Sequence, residues 1–380
     1  MPESYIEPLT DRQQCFTCHK TVTGKKKLFK CAGCHAITYC GVECQKEDRT
    51  RHQWNCVPVM VTEIPGKGRG LVAARNIKMG ELIFTDKPVI KVNSDEDTDE
   101  IMNSLARQID KLSIEAKRQF NQLNVSPKYE DGIELNVNLL NFSKFVSNCA
   151  KSWRGMNDCW FLQLNTILIN HSCAPNAAKG PLLPDEDYKN EVRAIKDITR
   201  GDEITLCYLG GLEHYLTCGF DKLRRMREIR DLFGFDCKCC VCSGSVPGQE
   251  EIIMELLTVL GTTDGNRSTS SDWKAIAKTF KIAEELTRKL YTGCVVLLKL
   301  TALNDLAGAA HLARDEDLLM KALDNYNQLV EDTKLEYVRL AYERMKEDLS
   351  RWTVQLKSKK RPRQEEIDFF SPQRRKWVNF

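Results

Sequence analysis

NHSCAPN, residues 170–176, is the stretch on which the reading of this chain turns. It packs an amide, an imidazole, a hydroxyl, a thiol and a proline into seven positions. It follows an apolar run at 160–169 (WFLQLNTILI) whose composition predicts burial. Polar side chains directly after a core segment form either a satisfied turn or a functional site. In a turn, Ser172 and Asn176 would satisfy local backbone groups. In a site, the same seven residues need companions elsewhere in the chain.

Three stretches supply them. About 100 residues upstream, 65–70 (PGKGRG) is a turn with three glycines. A looser alternation at 59–64 (VMVTEI) precedes it, and short strands at 71–75 (LVAAR) and 81–84 (ELIF) follow, with Met79-Gly80 turning the chain between them. Downstream come a strand at 191–195 (EVRAI), then 201–208 (GDEITLCY), a basic helical stretch, and 235–242 (FDCKCCVC). A glycine turn alone is weak, since an ordinary hairpin uses the same residues. Between the two groups of strands, 94–100 (SDEDTDE) reads as a solvated acidic loop. Helical periodicity runs from 101 to 123 through Ile101, Leu105, Ile109 and Leu112, and a second apolar stretch lies at 135–145.

Cysteine spacing sets the other end of the chain. Cys15-x2-Cys18, Cys31-x2-Cys34, Cys40-x3-Cys44 and His52-x3-Cys56 place eight donors within residues 15–56. Eight ligands suffice for two closed tetrahedral zinc sites, each pair gripping an ion from a tight or helical turn. So short a segment buries too little core to fold alone, and metal binding supplies the missing free energy. His19 and His35 lie nearby, but the count closes without them. The competing reading, buried structural cysteines, has to produce four metal-spaced pairs together by chance.

Composition frames these motifs. At 380 residues the chain has room for two or three domains, and 42% hydrophobic with 29% charged residues describes an ordinary soluble protein. No apolar run approaches the ~20 residues of a membrane span, and the N-terminus does not read as a signal peptide. A net charge of +3 argues against nucleic acid as the main ligand. Seventeen cysteines without a secretory signal point to a reducing compartment and to metal sites over disulfides.

The finger resembles the MYND zinc finger, whose ligands interleave. By that resemblance Cys15, Cys18, Cys40 and Cys44 hold one ion, and Cys31, Cys34, His52 and Cys56 the other. MYND fingers commonly bind proline-rich peptides of partner proteins. The ordered set GRG, NHSCAPN, GDEITLCY and FDCKCCVC resembles the SET domain of protein lysine methyltransferases. Finger and SET motifs together resemble the SMYD (SET and MYND domain) family over almost the whole chain, with the finger-first order of the arthropod SmydA-type branch.

The resemblance implies an α+β fold. Its parts would be a two-zinc MYND finger at 15–56 and a mostly-β SET domain with a knot-like crossing at 57–93 and 145–220. A helical insert would occupy 94–144, a cysteine-rich post-SET zinc segment 221–243, an α-helical C-terminal domain 250–356 and a basic tail 357–380. It also implies S-adenosyl-L-methionine as cofactor, bound by Gly68, Arg69, Gly70, Asn148, Asn170, His171, Tyr208 and Phe235. Tyr208 would be the catalytic phenol, and Phe235 would wall the cofactor or lysine channel. Cys173 would join Cys237, Cys239 and Cys242 in a third structural zinc site, with Cys240 able to replace one of them. Cysteines 149, 159, 207, 218 and 294 are left with no metal role.

Methyl transfer from a sulfonium to an amine is an in-line displacement needing no metal at the reacting centre. The lysine must be neutral although its free pKa is about 10.4, and an aromatic channel beside a positive sulfonium lowers it. Three departures from the family stand out, the first being a finger that precedes the SET motifs where well-studied members have it interrupting them. Phe233 occupies the place of a second tyrosine, and Ala150, in Asn148-Cys149-Ala150, that of an aromatic wall. Two function classes follow. One is a protein lysine N-methyltransferase acting on histone or other protein lysines. The other is a catalytically weak or inactive SET scaffold that recruits partners through its finger, in transcriptional repression.

The last third reads as helices at 250–260, 273–291, 295–313 and 316–356 joined by short turns, without a visible repeat. The family's tetratricopeptide-like array fits, and either walls the substrate cleft, binds partners or supports the SET domain. The basic runs 357–363 and 374–376 suit a nuclear signal or a nucleic-acid contact, and a plain solvated tail equally. The expectation is a monomer of nucleus and cytoplasm.

Overall fold

The computed structural model describes residues 14–21, 28–52, 56–93, 96–126, 136–151, 159–180, 188–209, 222–245, 247–248, 251–252, 255, 316–334, 339, 342–343 and 346. It divides into two compact units: Met1–His171 with Asn176–Leu206, and Ser172–Pro175 with Cys207–Phe380. The chain therefore crosses between units inside NHSCAPN and again after Leu206. No helix among the described residues is long and apolar enough to cross a membrane.

The first unit opens with two matching knuckles. His19 N–H donates to the Cys15 carbonyl at 2.8 Å and His35 N–H to the Cys31 carbonyl at 3.0 Å. Both histidines take the left-handed conformation, at φ 56° and 60°, which histidine tolerates better than most residues. Strands β1 (Phe29–Lys30) and β2 (Thr38–Tyr39) pair antiparallel, and helix α1 (Val42–His52) follows. The buried Tyr39 hydroxyl donates to Asp48 at 2.8 Å and ties β2 to α1.

Next comes a set of small sheets. Strand β3 (Val59–Ile64) pairs antiparallel with β4 (Gly68–Ala73) across the glycine turn. Strand β5 (Leu82–Asp86) edges a three-stranded sheet in the order β10 (Ala177–Lys179), β11 (Asn190–Ala194), β5. Alternate residues of these strands meet in one core: Val59, Val61, Leu71, Ala73, Ile83, Val192, Ala194, Ile204 and Leu206 are all buried. A second three-stranded sheet runs β6 (Ile90–Asn93), β8 (Cys159–Leu162), β7 (Ala150–Lys151).

Three helices cover that second sheet. Ile101 and Leu105 of α2 (Thr98–Lys111), Ala116 and Phe120 of α3 (Ile114–Asn121) and Phe145 of α4 (Val137–Asn148) share a core with Ile90, Val92 and Leu162. Each helix has a side-chain N-cap: Asp97, Ser113 and Asn136 accept from N–H groups of the first turn. The acidic run expected as a solvated loop at 94–100 is solvent-exposed at 97–100, but from Thr98 on it is helix. Asp97 is the cap of α2, and Asp99 and Glu100 fill its first turn, where negative charge suits the helix dipole.

In the second unit a helix at Lys222–Phe233 ends on Gly234, whose N–H returns to the Arg230 carbonyl at 2.9 Å with φ 76°. Of the predicted C-terminal array, the longest described part is the helix Glu316–Thr333, which buries Ala322, Tyr326 and Leu329; the single helix predicted at 316–356 is broken at Lys334, which takes the left-handed conformation at φ 51°. The predicted helices at 273–291 and 295–313, nearly all of that at 250–260 and the basic tail at 357–380 lie outside the described residues.

Candidate functional site

Three four-donor clusters stand out, each with ligand atoms within 4.8 Å of one another: Cys15, Cys18, Cys40 and Cys44; Cys31, Cys34, His52 and Cys56; Cys173, Cys237, Cys239 and Cys242. A zinc ion with Zn–S bonds of about 2.3 Å sets tetrahedral sulfur–sulfur edges of about 3.8 Å, and about 3.5 Å from sulfur to an imidazole nitrogen. Cys18–Cys40 is 3.6 Å, Cys40–Cys44 3.5 Å and Cys31–Cys56 3.7 Å. His52 Nε2 lies 3.5 Å from Cys34 Sγ and 3.3 Å from Cys31 Sγ. Cys173 Sγ lies 3.9 Å from Cys237 and 3.5 Å from Cys242. These spacings are far too long for disulfides, whose S–S bond is about 2.05 Å, and match a shared ion. The donors fit three structural zinc ions in the interleaved finger pattern, with Cys240 outside the third cluster.

Local electrostatics point the same way. Burial opposes ionisation of Cys15 and Cys31, yet backbone N–H groups outweigh it. Cys18, Cys40 and Thr17 surround Cys15 and bring it to about 6, while Cys34 and Gly33 lower Cys31. A thiolate is the form that binds zinc. In the third cluster the Cys237 thiol beside Cys173 holds Cys173 well above the ordinary range, while Cys173 lowers Cys239 to about 5. Four crowded sulfurs cannot all ionise without a cation among them. Cys149, Cys159 and Cys207 lie outside all three clusters, and burial pushes the Cys207 thiol up to about 12. Cys218 and Cys294 lie outside the described residues.

The opening question has a divided answer. Asn176 and Thr205 staple each other: Thr205 N–H donates to Asn176 Oδ1 at 2.8 Å, and Asn176 N–H to Thr205 Oγ1 at 3.3 Å. Asn176 Nδ2 also donates to the Glu203 carbonyl at 2.7 Å. Ser172 Oγ accepts from Ala174 N–H at 3.1 Å. So Ser172 and Asn176 are the satisfied-turn residues, and Cys173 sits in a four-sulfur cluster that fits a zinc ion.

Asn170 and His171 form β9, which runs parallel to β12 (Thr205–Leu206) with Thr205 opposite Asn170 and Leu206 opposite His171. A parallel pair cannot be joined by a tight turn, so residues 172–204 must cross over between the two strands. His171 is buried. Asn170 Nδ2 donates to the Arg69 carbonyl at 3.2 Å and to Glu203 Oε1 at 2.9 Å. Both amide hydrogens are thus used inside the protein. The glycines of PGKGRG divide the work. Gly68, at φ 71°, has open space where a Cβ would stand, and Gly70 presses against Asn170 Nδ2 and Ile64, each 2.6 Å from such a Cβ. Arg69 reaches away to the end of α3, donating to Gln122 Oε1 at 2.7 Å and to the Gln122 carbonyl at 3.4 Å. Asn148 ends α4 and donates to the Asn124 and Lys144 carbonyls, each at 2.8 Å.

Asp86 enters from the end of β5. Its buried carboxylate accepts from Thr166 N at 2.7 Å, Thr166 Oγ1 at 2.8 Å, Asn165 N at 3.1 Å and Asn165 Nδ2 at 3.4 Å. That anchors the 3-10 turn Thr166–Leu168, which leads straight into β9.

Tyr208 belongs to the second unit, in a trio of rings. Its centroid lies 5.1 Å from Phe233 and 6.5 Å from Phe235, and the two phenylalanines are 6.4 Å apart. The Gly234 turn brings Phe233 and Phe235 together. Ala150 pairs with Phe161 on β8 and packs against the buried Cys159 and Phe161.

A model of the MYND finger matches residues 15–56, and a model of the SET domain matches residues 68–209. The chain carries a MYND finger followed by a SET domain. The finger precedes the SET domain, and the SET match takes in GRG, NHSCAPN, GDEITLCY and the helices α2–α4. Phe233, Phe235 and the last three zinc-binding cysteines lie beyond it. Curated relatives include histone-lysine N-methyltransferase SMYD3 of Mus musculus, 26% identical over 259 residues, covering 63% of this chain and 56% of the relative. Histone-lysine N-methyltransferase ASHR1 of Arabidopsis thaliana is 25% identical over 249 residues, covering 62% and 47%. N-lysine methyltransferase SMYD2 of Homo sapiens is 24% identical over 253 residues, covering 63% and 53%. The chain spans about half the length of the curated relatives it matches. The solved Neurospora SET domain protein DIM-5, a histone lysine methyltransferase, is 23% identical over 43% of this chain and 56% of its own, with a TM-score of 0.23, too loose a superposition to bear on the fold.

Proposed function

We propose that this SET domain is an S-adenosylmethionine-dependent protein lysine N-methyltransferase. The observation that carries the reading is Tyr208 within its aromatic trio, in a chain whose relatives are named lysine methyltransferases. The cofactor, when bound, supplies an electrophilic methyl group on a sulfonium. The open backbone at Gly68 and the Asn170–His171 strand suit its amino-acid and nucleoside parts. Phe233 and Phe235 give the lysine's methylene chain an apolar lining and disfavour its ammonium form. The Tyr208 hydroxyl orients the neutral amine by hydrogen bonding. The three zinc ions are structural, each with four protein ligands and no open position.

Substrates are lysines of histones or other proteins, with a proline-rich partner peptide at the finger. The protein acts as a monomer in nucleus and cytoplasm, and the basic tail supports nuclear entry. A second reading, a SET scaffold of weak or no activity, is favoured by Phe233 and Ala150, each replacing an aromatic or phenolic group of the family. Peptide arrays with labelled cofactor separate the two. Transfer by the parent that falls about a hundredfold in Tyr208→Phe, with cofactor affinity kept, supports the enzyme. No transfer by the parent but transfer by Phe233→Tyr makes the natural protein a disabled scaffold.

A further inference from the structure

Glu203 touches three of the four motifs at once. Oε1 accepts from the Asn170 amide at 2.9 Å, and Oε2 from Lys67 Nζ of the glycine turn at 2.5 Å. Its carbonyl accepts from Asn176 at 2.7 Å. The backbone beneath is fixed as well: Val72 and Glu203 form an antiparallel bridge, and Ile204 N–H donates to the Leu71 carbonyl at 2.7 Å. The carboxylate is partly buried, its side chain 19% exposed.

The Asn170 amide has two ends, and its environment chooses between them. Nδ2 faces the Arg69 carbonyl and the Glu203 carboxylate, both of which can only accept. Turning the amide over would set Oδ1 against two acceptors. The inward NH2 leaves Oδ1 as the polar atom of this side chain for a ligand, and an oxygen recognises a donor.

We propose that Glu203 is a positioning residue that locks the Asn170 amide with Oδ1 toward the ligand, so that the site selects a cofactor bearing an ammonium donor. The inference rests on the reading of Asn170 as a cofactor contact. It assigns a selectivity to the acidic residue of GDEIT, with Lys67 steadying the carboxylate from the other side. Glu203→Gln breaks the arrangement with little change of shape. With its oxygen toward Asn170, its NH2 meets the Lys67 ammonium. With its oxygen toward Lys67, its NH2 meets the Asn170 NH2 and turns that amide over.

The test is calorimetric titration of the zinc-loaded parent and Glu203→Gln with S-adenosylmethionine and with 5′-methylthioadenosine, which lacks the amino-acid moiety. The expected result is at least about tenfold weaker binding of S-adenosylmethionine by the variant, as for loss of a charge-assisted hydrogen bond, with methylthioadenosine affinity kept within about twofold. Equal weakening of both ligands would reduce Glu203 to a structural staple and overturn the proposal, as would no weakening of either. If the parent binds neither ligand, the enzyme reading falls separately, and the amide itself decides. The Asn170 side-chain NH2 protons, assigned by their loss in Asn170→Ala, should exchange slowly in the parent and fast in Glu203→Gln; equal exchange overturns the proposal. Should Glu203→Gln not fold, Glu203→Asp, whose shorter reach misses Asn170, takes its place with the same expected split.

Discussion

Asp86→Asn should remove a pH dependence that the parent carries. Burial raises the Asp86 carboxyl from its ordinary 3.8 to about 6, against the pull of the Thr166 and Asn165 donors. The folded state therefore holds this proton over a range in which the unfolded chain has lost it. The resulting stability is full below pH 3.8 and is lost as pH rises through about 6. A difference of about two in pKa corresponds to about 3 kcal/mol, of which about half, ~1.5 kcal/mol, falls between pH 5 and 7.5. Asparagine has no charge to bury, so its stability relative to the parent should rise by that amount over the same interval. In melting temperature the relative gain is about 3–6 °C for a unit of this size. Thermal unfolding of both proteins at pH 5, 6 and 7.5, in buffers with equal free zinc, reads it directly. A parent–variant gap that stays constant across the three pH values, or moves the other way, would refute the buried-carboxylate account.

Other perturbations have equally definite outcomes. Cys173→Ser should lower bound zinc from three ions per chain to two by elemental analysis, with the finger's two retained; three ions in the variant would remove Cys173 from the third site. Gly70→Ala must force its Cβ against Asn170 Nδ2 and Ile64, and overpacking of this kind costs about 1–3 kcal/mol, visible as a lowered denaturation midpoint. An unchanged midpoint would mean that the glycine turn gives way easily. Stripping metal with a chelator should unfold residues 15–56, because donors supply most of that segment's interior. Amide exchange across the finger unaffected by the chelator would contradict this.

Much of this architecture was legible in the residues. The four metal-spaced pairs gave the eight finger donors, because ligand spacing is a local constraint, while their interleaved division between two clusters came from the resemblance to the MYND finger. The fourth donor at Cys173, more than 60 positions before the other three cysteines, came from the resemblance to the SET domain. Alternation located β3, and periodicity located the helical stretch 101–123, though not its division at Ser113 into α2 and α3. What escaped were side chains whose roles come from tertiary neighbours. Nothing local marks Asp86 as the anchor of Thr166, 80 residues away. Glu203 stood inside a quoted motif, yet its value lies in Asn170 and Lys67, which pattern alone cannot pair with it. The start of α2 was misread because an acidic run suggests solvent, although the same acids cap a helix.

Isothermal titration of the zinc-loaded protein with S-adenosylmethionine tests the central claim most directly. The account predicts saturable binding at one site per chain, weakened by Asn170→Ala or His171→Ala and little changed by Tyr208→Phe. A folded parent, with three zinc ions in place, that binds no S-adenosylmethionine would contradict it.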